Sequence, residues 1–416
     1  MTVLIATLPV TNKMKKKVLF IDSDPGFSGS TVSMNFLIKA FIRDGYEIGV
    51  VTCKQPFDID EFEINGIKAI LIKNNLYLHL HFTNRFTIFS FKGIYFILQL
   101  VFRLIKGIII AINILRKTKP DLVYVNEYVL LQFAIAARIL GIPSVTHIRS
   151  LFLKGTFGIR KKLLSFLLLM CNEKVFAITN QEAQQITKYI MDKQNKIVVI
   201  PEFLNNDNFN MNYDINQTKL SLGIEETRSV LLMLGGIEKV KGTLELIKAI
   251  NILKHEFTNF ILIIAGTFNQ YPSNLQYWEE CSNFIKINDL QNHIKILSSI
   301  KEPNKLIAIA DIIISSSSLS HFSRPIIEGW AKKKAIVASD STHTREYVED
   351  GINGLLYKIG SPEELKEKIK MILLDKQLGQ RIANEGYKKA LLLFNGDVNT
   401  KVIVEKCNNI LSCKRN

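Results

Sequence analysis

The sequence predicts an α/β chain of two Rossmann-like, doubly wound domains facing one another across a cleft. Apolar strand-like runs alternate with helix-length amphipathic segments through both halves. A polar, asparagine-rich interval after Pro201 divides two such alternations. A chain of 416 residues, 47% hydrophobic, has material for two ordinary cores rather than one very large one.

Taken in order, KKKVLFIDS is a buried strand, Val32–Asp44 a helix ended by Gly45, and YEIGVVT a second strand, which together open a βαβ unit. The alternation resumes with DLVYVN, a helix over Tyr128–Leu140, IPSVTHI, KVFAIT, a further helix and KIVVIP. Between the two runs lies KGIYFILQLVFRLIKGIIIAINILRK, the most membrane-like stretch. Gln99, Arg103 and Lys106 interrupt it, short of the about 18 uninterrupted apolar residues a spanning helix needs. Lys92, Gln99, Arg103, Lys106 and Asn113 fall on one helical face and leave a broad apolar face. That face suits either packing on a sheet or partial insertion into an anionic bilayer surface.

Asn205, Asn206, Asp207, Asn208, Asn210, Asn212 and Asn216 mark the linker, so the division expected is 1–207, 208–390, and a terminal helix, 391–416, crossing back to the first domain. The second domain then reads SVLLMLGG, a helix from Thr243 to Lys254, FILIIAG, a helix around Leu275–Asn288, IKILSS, ADIIISSS, KAIVAS and GLLY. Ligands of open parallel sheets collect at the carboxyl ends of the strands, so the cleft between the domains is the expected site.

A net charge of +15 implies polyanionic partners: nucleic acid, anionic lipid or phosphorylated small molecules. No zinc finger or RNP-like run supports nucleic acid. The five cysteines are an odd count without a C-x-x-C pair, which fits a reducing, cytosolic setting and no zinc site. The apolar Val3–Val10 run precedes the basic cluster Lys13, Lys15–Lys17, the reverse of a secretory signal, and Met14 is an alternative start.

Several short stretches carry chemistry. LGGIEKVKG supplies Gly235, Gly236 and Lys241 before a helix, a place where a lysine and free N–H groups neutralise a diphosphate; a solvated lysine is the plain alternative. SRPIIEGW offers a second helix start, with Ser323 as cap, Pro325 in the first turn and Arg324 between them. Glu328 then stands in an otherwise apolar turn, an acid that the helix dipole favours and whose charge or hydroxyl partner is the open question. PGFSGSTVSMN places Gly26, Ser28, Gly29 and Ser30 in a loop suited to close approach of an anion. SVTHIRS puts His147 and Arg149 on one side of a strand end, although His147 equally suits a core position. Asp22-Ser23-Asp24 reads as turn chemistry rather than a metal site, and no G-x-S-x-G elbow points to serine hydrolysis.

LGGIEKVKGTLELIKAI, followed by HFSRPIIEGWAKKKAIVASDSTHTREYVEDGINGLLYKIGSPEELKEKI, resembles the nucleotide-sugar-binding half of family-four glycosyltransferases, retaining enzymes of the GT-B architecture. KPDLVYVN, RILGIP and IPEFLNNDNF extend the resemblance through the first half and the linker, where the family usually reads I-x-N-G-V-D. The resemblance implies transfer from a nucleotide-sugar, UDP-linked rather than GDP-linked, to a glycan or lipid-linked glycan, as in bacterial surface polysaccharide synthesis. It implies no cofactor beyond that donor and no catalytic metal. Together with the basic surface, it suggests a cytoplasmic protein held peripherally at the inner face of the plasma membrane. Lys241, Glu328, His147 and Arg149 are the implied catalytic residues. Gly29, Gly235, Gly236, Ser320, Ser323, Arg324, Ile327 and Glu328 are the implied donor-binding set.

Three departures stand out. Ser320 occupies the first position of the family's E-x7-E pair, Ser323 replaces the glycine after the phenylalanine, and Gly236 replaces an arginine. They leave three readings: a divergent active transferase, a different donor sugar, or a degenerate binding partner of another transferase. Arg324 and Arg149 are the candidates to restore the missing positive charge, and Arg149 fills a position where many members carry histidine.

Overall fold

The structure, a computed structural model, describes residues 15–22, 29–52, 68–71, 91–152, 158–266, 272–298 and 302–413. The apolar runs pair in parallel because both faces of each sheet are covered by helices, which makes near-continuous Val, Ile and Leu favourable. The first sheet contains β1 (Lys17–Asp22), β2 (Glu47–Thr52), β3 (Lys68–Leu71), β4 (Leu122–Val125), β5 (Ser144–Ile148), β6 (Lys174–Ala177) and β7 (Ile197–Val199), ordered β3-β2-β1-β4-β5-β6-β7. The second contains β8 (Ser229–Leu234), β9 (Phe260–Ala265), β10 (Ile294–Leu297), β11 (Ile312–Ser315), β12 (Ala335–Ser339) and β13 (Leu355–Tyr357), ordered β10-β9-β8-β11-β12-β13. Each order reverses once, between β1 and β4 and between β8 and β11, and a crevice opens at the carboxyl end of each reversal.

The described elements follow the sequence expectation with local shifts. The first helix begins at Gly29 rather than Val32. The expected Tyr128–Leu140 helix opens as a 3-10 turn, Tyr128–Leu130, before the α-helix Leu131–Ile139. Glu127 causes this start: its backbone has φ 137° and its carboxylate accepts the N–H of Tyr128.

The asparagine-rich interval is a fixed joint. Asn205 and Asn208 form a reciprocal capping box on the short helix Asn206–Phe209. The Lys332 ammonium donates to the carbonyls of Asn208 at 2.9 Å and Asn210 at 2.8 Å, tying the joint to the second domain. The Gly396–Cys413 helix packs Ile403, Val404, Cys407 and Leu411 against Val18, Phe20 and Phe41 of the first domain. Where the chain crosses back, a Cβ on Gly396 would sit 2.1 Å from the Leu204 carbonyl oxygen, so only glycine fits.

The Phe91–Thr118 helix packs on the Leu131–Ile139 helix and buries Ala111 and Leu115 in a core shared with β1, β2 and β4. Its opposite face exposes Ile94, Tyr95, Leu98, Val101, Phe102, Ile105 and Ile109. Among the described residues it contains the one segment long and apolar enough to cross a membrane.

Candidate active site

The ends of β8 and β11 meet through backbone. Gly242 has φ 67°, and a Cβ there would lie 1.8 Å from the Ser316 carbonyl oxygen. The serines after β11 hold the Lys239–Lys241 turn in place: Ser316 donates to Lys241 O at 2.9 Å, Ser317 to Val240 O at 2.8 Å and Ser318 to Lys239 O at 3.0 Å. The Lys241 stem then runs over Gly235, where a Cβ would touch its Cε at 3.4 Å, and its ammonium lies 3.1 Å from Nε2 of His321.

Burial first, and then the Lys241 charge, push His321 down to about 4, so at neutral pH its Nε2 accepts the ammonium hydrogen bond. Burial also lowers the Lys241 pKa, with Glu238 pulling the other way. Gly235 and Gly236 do not offer free donors, because both N–H groups donate to Ala265 O, at 2.9 and 3.2 Å. What these glycines supply is room for the lysine and positive φ, 127° and 73°. The φ at Gly236 is also a physical reason against arginine there, since αL backbone strains a residue with a Cβ.

In the same domain, after β11, the helix Arg324–Ala331 starts with Pro325 in its first turn, as expected. Ser323 occupies the cap position, but its hydroxyl pairs with Ser315 Oγ at 2.8 Å and makes no capping bond. Ile327 is fully buried, so its side chain serves the core and does not reach the cleft. The question raised by Glu328 has a direct answer: its carboxylate accepts from Arg324 Nε at 2.7 Å, one turn back on the same helix. Arg324 in turn donates to Ser33 Oγ of the first domain at 2.6 Å and approaches Glu202 at 3.8 Å. A Cβ on Gly29 would touch the Arg324 Cδ at 3.0 Å, so this glycine admits the arginine.

The charge chain continues into the first domain. Glu202 pairs with Arg149, both side chains 5% exposed, and Arg149 Nε donates to Asn126 Oδ1 at 3.1 Å. Burial alone would raise the Glu202 pKa, but Arg149 and Arg324 outweigh it and hold the carboxyl below its ordinary range. Glu127 accepts from the Ser150 hydroxyl and from the Tyr128 and Arg149 N–H groups, yet burial prevails and raises it to about 7.

His147 lies in the core. It is 1% exposed, its Nδ1 sits 2.8 Å from the Tyr124 hydroxyl, and its ring packs edge-on to Tyr124 and Phe176. Burial, reinforced by Arg149, depresses its pKa well below 6.5 and keeps the ring neutral. The structure thus separates His147 from the cleft while Arg149 joins the chain leading into it. Asp22 is turned inward too, accepting from Thr31 and from Asn126, each at 3.2 Å. Ser23, Asp24, Gly26 and Ser28 lie outside the described residues. Among the described residues no group of three or more His, Cys, Asp or Glu is placed to hold a metal ion.

Two family models meet at this joint: residues 27–207 match Glycosyltransferase Family 4 and residues 214–389 match Glycosyl transferases group 1. The chain is a family-four glycosyltransferase of the GT-B fold. It is 27% identical over 358 residues, 83% of each chain, to the UDP-N-acetylglucosamine--N-acetylmuramyl-(pentapeptide) pyrophosphoryl-undecaprenol N-acetylglucosamine transferase of Caldicellulosiruptor saccharolyticus. Putative glycosyltransferase EpsD of Bacillus subtilis is 25% identical over 41% of this chain and 42% of its own length. The fold matches Anabaena HepE, solved in complex with UDP and glucose, with TM-score 0.77 and 21% identity over 94% of this chain and 99% of that one.

In this glycosyltransferase, four residues that join the two domains escaped the sequence reading: Glu202 with Arg324, Glu182 with His343, and Glu346. Glu202 left one signal, a carboxylate in IPEF where the family pattern has asparagine. Glu346 accepts from the N–H groups of Asn180 and Gln181 at 2.8 and 2.9 Å, capping a first-domain helix from the second domain. No local pattern announces such a contact.

Proposed function

We propose that this glycosyltransferase moves a sugar, with retention, from a UDP-sugar to a hydroxyl of a lipid-linked glycan in polysaccharide synthesis. The observation that carries the reading is the pairing of two cationic helix approaches at the β8/β11 reversal, Lys241 on one side and Arg324 beside Glu328 on the other. A diphosphate there meets Lys241 directly, and Arg324, only 12% exposed but anchored at the domain seam, supplies the second positive charge that Gly236 lacks. Glu328, relieved of part of its bond to Arg324 by the phosphates, accepts the ribose hydroxyls. No protein nucleophile is assigned: the departing diphosphate takes the acceptor's proton on the same face, and the protein positions and stabilises it. The UDP complex of HepE and the undecaprenol-linked acceptor named for the Caldicellulosiruptor relative support donor and acceptor classes.

Calorimetric titration with UDP tests the donor side. Glu328→Gln is expected to weaken UDP binding by about 1–3 kcal/mol, the usual cost of replacing a charged hydrogen-bond partner. Unchanged affinity in a folded variant removes the ribose role.

The acceptor side rests on the exposed apolar face of Phe91–Thr118, which carries exposed Arg103 and Lys106. The Ile159–Cys171 helix, also packed on Leu131–Ile139, adds exposed Leu163, Phe166 and Met170. This face lies on the inner surface of the plasma membrane in a cytoplasmic, peripheral protein. Vesicles with anionic lipid should retain the protein at low salt and release part of it as salt shortens the screening length to about 10 Å at 0.1 M. Equal retention on neutral vesicles, or no loss in an Arg103→Ala, Lys106→Ala double variant, counts against an electrostatic contact through this helix.

A further inference from the structure

The proposed mechanism gives no task to Glu127, a half-buried carboxylate on the first-domain side of the cleft. It directly follows β4, at the carboxyl end of the β1/β4 reversal, where open parallel sheets receive ligands. Its backbone stands at φ 137° and ψ 144°, close to a region that essentially only glycine occupies. Such strain persists where the surroundings hold a residue in place, and what they hold here is an acid. The Tyr128 N–H donates to Oε1 at 2.9 Å, while Oε2 takes the Arg149 N–H at 3.3 Å and the Ser150 hydroxyl at 3.1 Å. The carboxylate is thus fixed across the ends of β4 and β5.

Two features set it apart from a simple brace. Among the described residues no cation pairs with it, because the Arg149 guanidinium is turned to Glu202 and Asn126. A buried brace that only had to receive N–H groups would do so without an unneutralised charge. The second feature is spare capacity. A carboxylate offers about four acceptor positions, and the bonds from Tyr128, Arg149 and Ser150 leave one, on Oε1.

We propose that Oε1 of Glu127 accepts a hydrogen bond from a hydroxyl of the acceptor sugar and so fixes which hydroxyl faces the donor. The inference rests on the acceptor class proposed above. A sugar hydroxyl is a neutral donor, and its bond to an ionised carboxylate is charge-assisted. A diphosphate carries the same sign as Glu127, so the position suits the acceptor and repels the donor's phosphates. Its neighbours lead to the donor side: Asn126 accepts from Arg149, Arg149 pairs with Glu202, and Glu202 approaches Arg324, the partner of Glu328, at 3.8 Å. Acceptor carboxylate and donor-binding pair therefore stand at the two ends of one bonded chain between the domains.

The charge of Glu127 is set within the working pH range, since burial outweighs its hydrogen bonds and raises the carboxyl to about 7. The charged and titratable groups that face it are Arg149 at the end of β5, the Tyr128 phenol, turned to Leu151 O at 3.4 Å, and, beyond Asn126, Asp22 at the end of β1. Above about 7 the ionised, accepting form prevails; below it a proton occupies the carboxyl.

The test measures transfer from UDP-glucose, UDP-galactose, UDP-N-acetylglucosamine or UDP-N-acetylgalactosamine, whichever wild type uses fastest. Octyl glucoside, octyl galactoside and farnesyl diphosphate N-acetylglucosamine serve as acceptors, and calorimetry reads UDP binding. Glu127→Gln should lower kcat/KM for the acceptor roughly ten- to hundredfold, the scale of one charge-assisted hydrogen bond, with UDP affinity within about twofold of wild type. Glu127→Gly, which suits the backbone, should show the same loss and serves where the glutamine variant does not fold. At saturating donor, wild-type kcat/KM for the acceptor should fall about tenfold per pH unit below about 7. In Glu127→Gly that limb should vanish. Unchanged acceptor kcat/KM in a folded variant, or a limb near 7 that survives in Glu127→Gly, overturns the inference and leaves the donor site standing. UDP affinity lost together with transfer makes Glu127 a brace and overturns it as well. A wild type that binds UDP and glycosylates no member of the panel overturns the acceptor class, and the inference with it.

Discussion

Glu202→Ala is expected to destabilise the protein by about 3–5 kcal/mol, the cost of breaking a buried ion pair from one side. Its carboxylate stands between Arg149 and Arg324, contributed by different domains, and neither it nor Arg149 is more than 5% exposed. Removing it leaves two guanidinium groups facing each other near the cleft floor. Arg149 keeps Asn126, the His147 ring nitrogen and the face of Phe203, none of which is a carboxylate. The effect should also depend on pH. The folded Glu202 pKa lies below the unfolded value of 4.5, so its contribution is full above about 4.5 and is lost as pH falls through the folded pKa. Denaturant midpoints across pH read both parts: the gap between wild type and variant should be wide at neutral pH and narrow in acid. A loss below about 1 kcal/mol at neutral pH, the scale of a surface pair, would show that Glu202 is solvated.

That pair also shows where sequence reasoning stops. Strand and helix periodicity are local signals, and the long apolar runs of β1, β8, β9 and β11 were readable because both faces of each strand are buried. β3 was not, since KAIL is a four-residue edge strand with too little sequence to show a period. Helix starts were placed within a few residues, yet the role of their capping serine was not. Ser323 has a cap's backbone position while its hydroxyl serves Ser315, a partner that folding brings close. Lys241 was legible because glycine and a helix start surround it in sequence. His321, which aims it, lies 80 residues away. His147 and Arg149 shared a strand face as alternation requires, but alternation cannot say that one ring closes into an aromatic core while the neighbouring guanidinium reaches across to Glu202.

Lys241→Met should lower kcat by about 10²–10³, or roughly 2.7–4 kcal/mol, the range for removing one preorganised group that stabilises transition-state charge. Methionine keeps the length and apolar contact of the stem over Gly235 while deleting the ammonium. The fold should survive, because the ammonium's bond goes to a neutral His321 and not to a buried acid. A charge that acts on the departing diphosphate must show more in kcat than in donor KM, since the diphosphate gains charge only as the glycosidic bond breaks. Lys241→Arg separates charge from placement. The planar guanidinium is bulkier than an ammonium, and Gly235 clears space only for a slender stem, so arginine should recover little of the lost rate. If Lys241→Met raises KM alone and leaves kcat intact, the lysine only helps to hold the donor in its ground state, and stabilisation of the leaving group passes to Arg324.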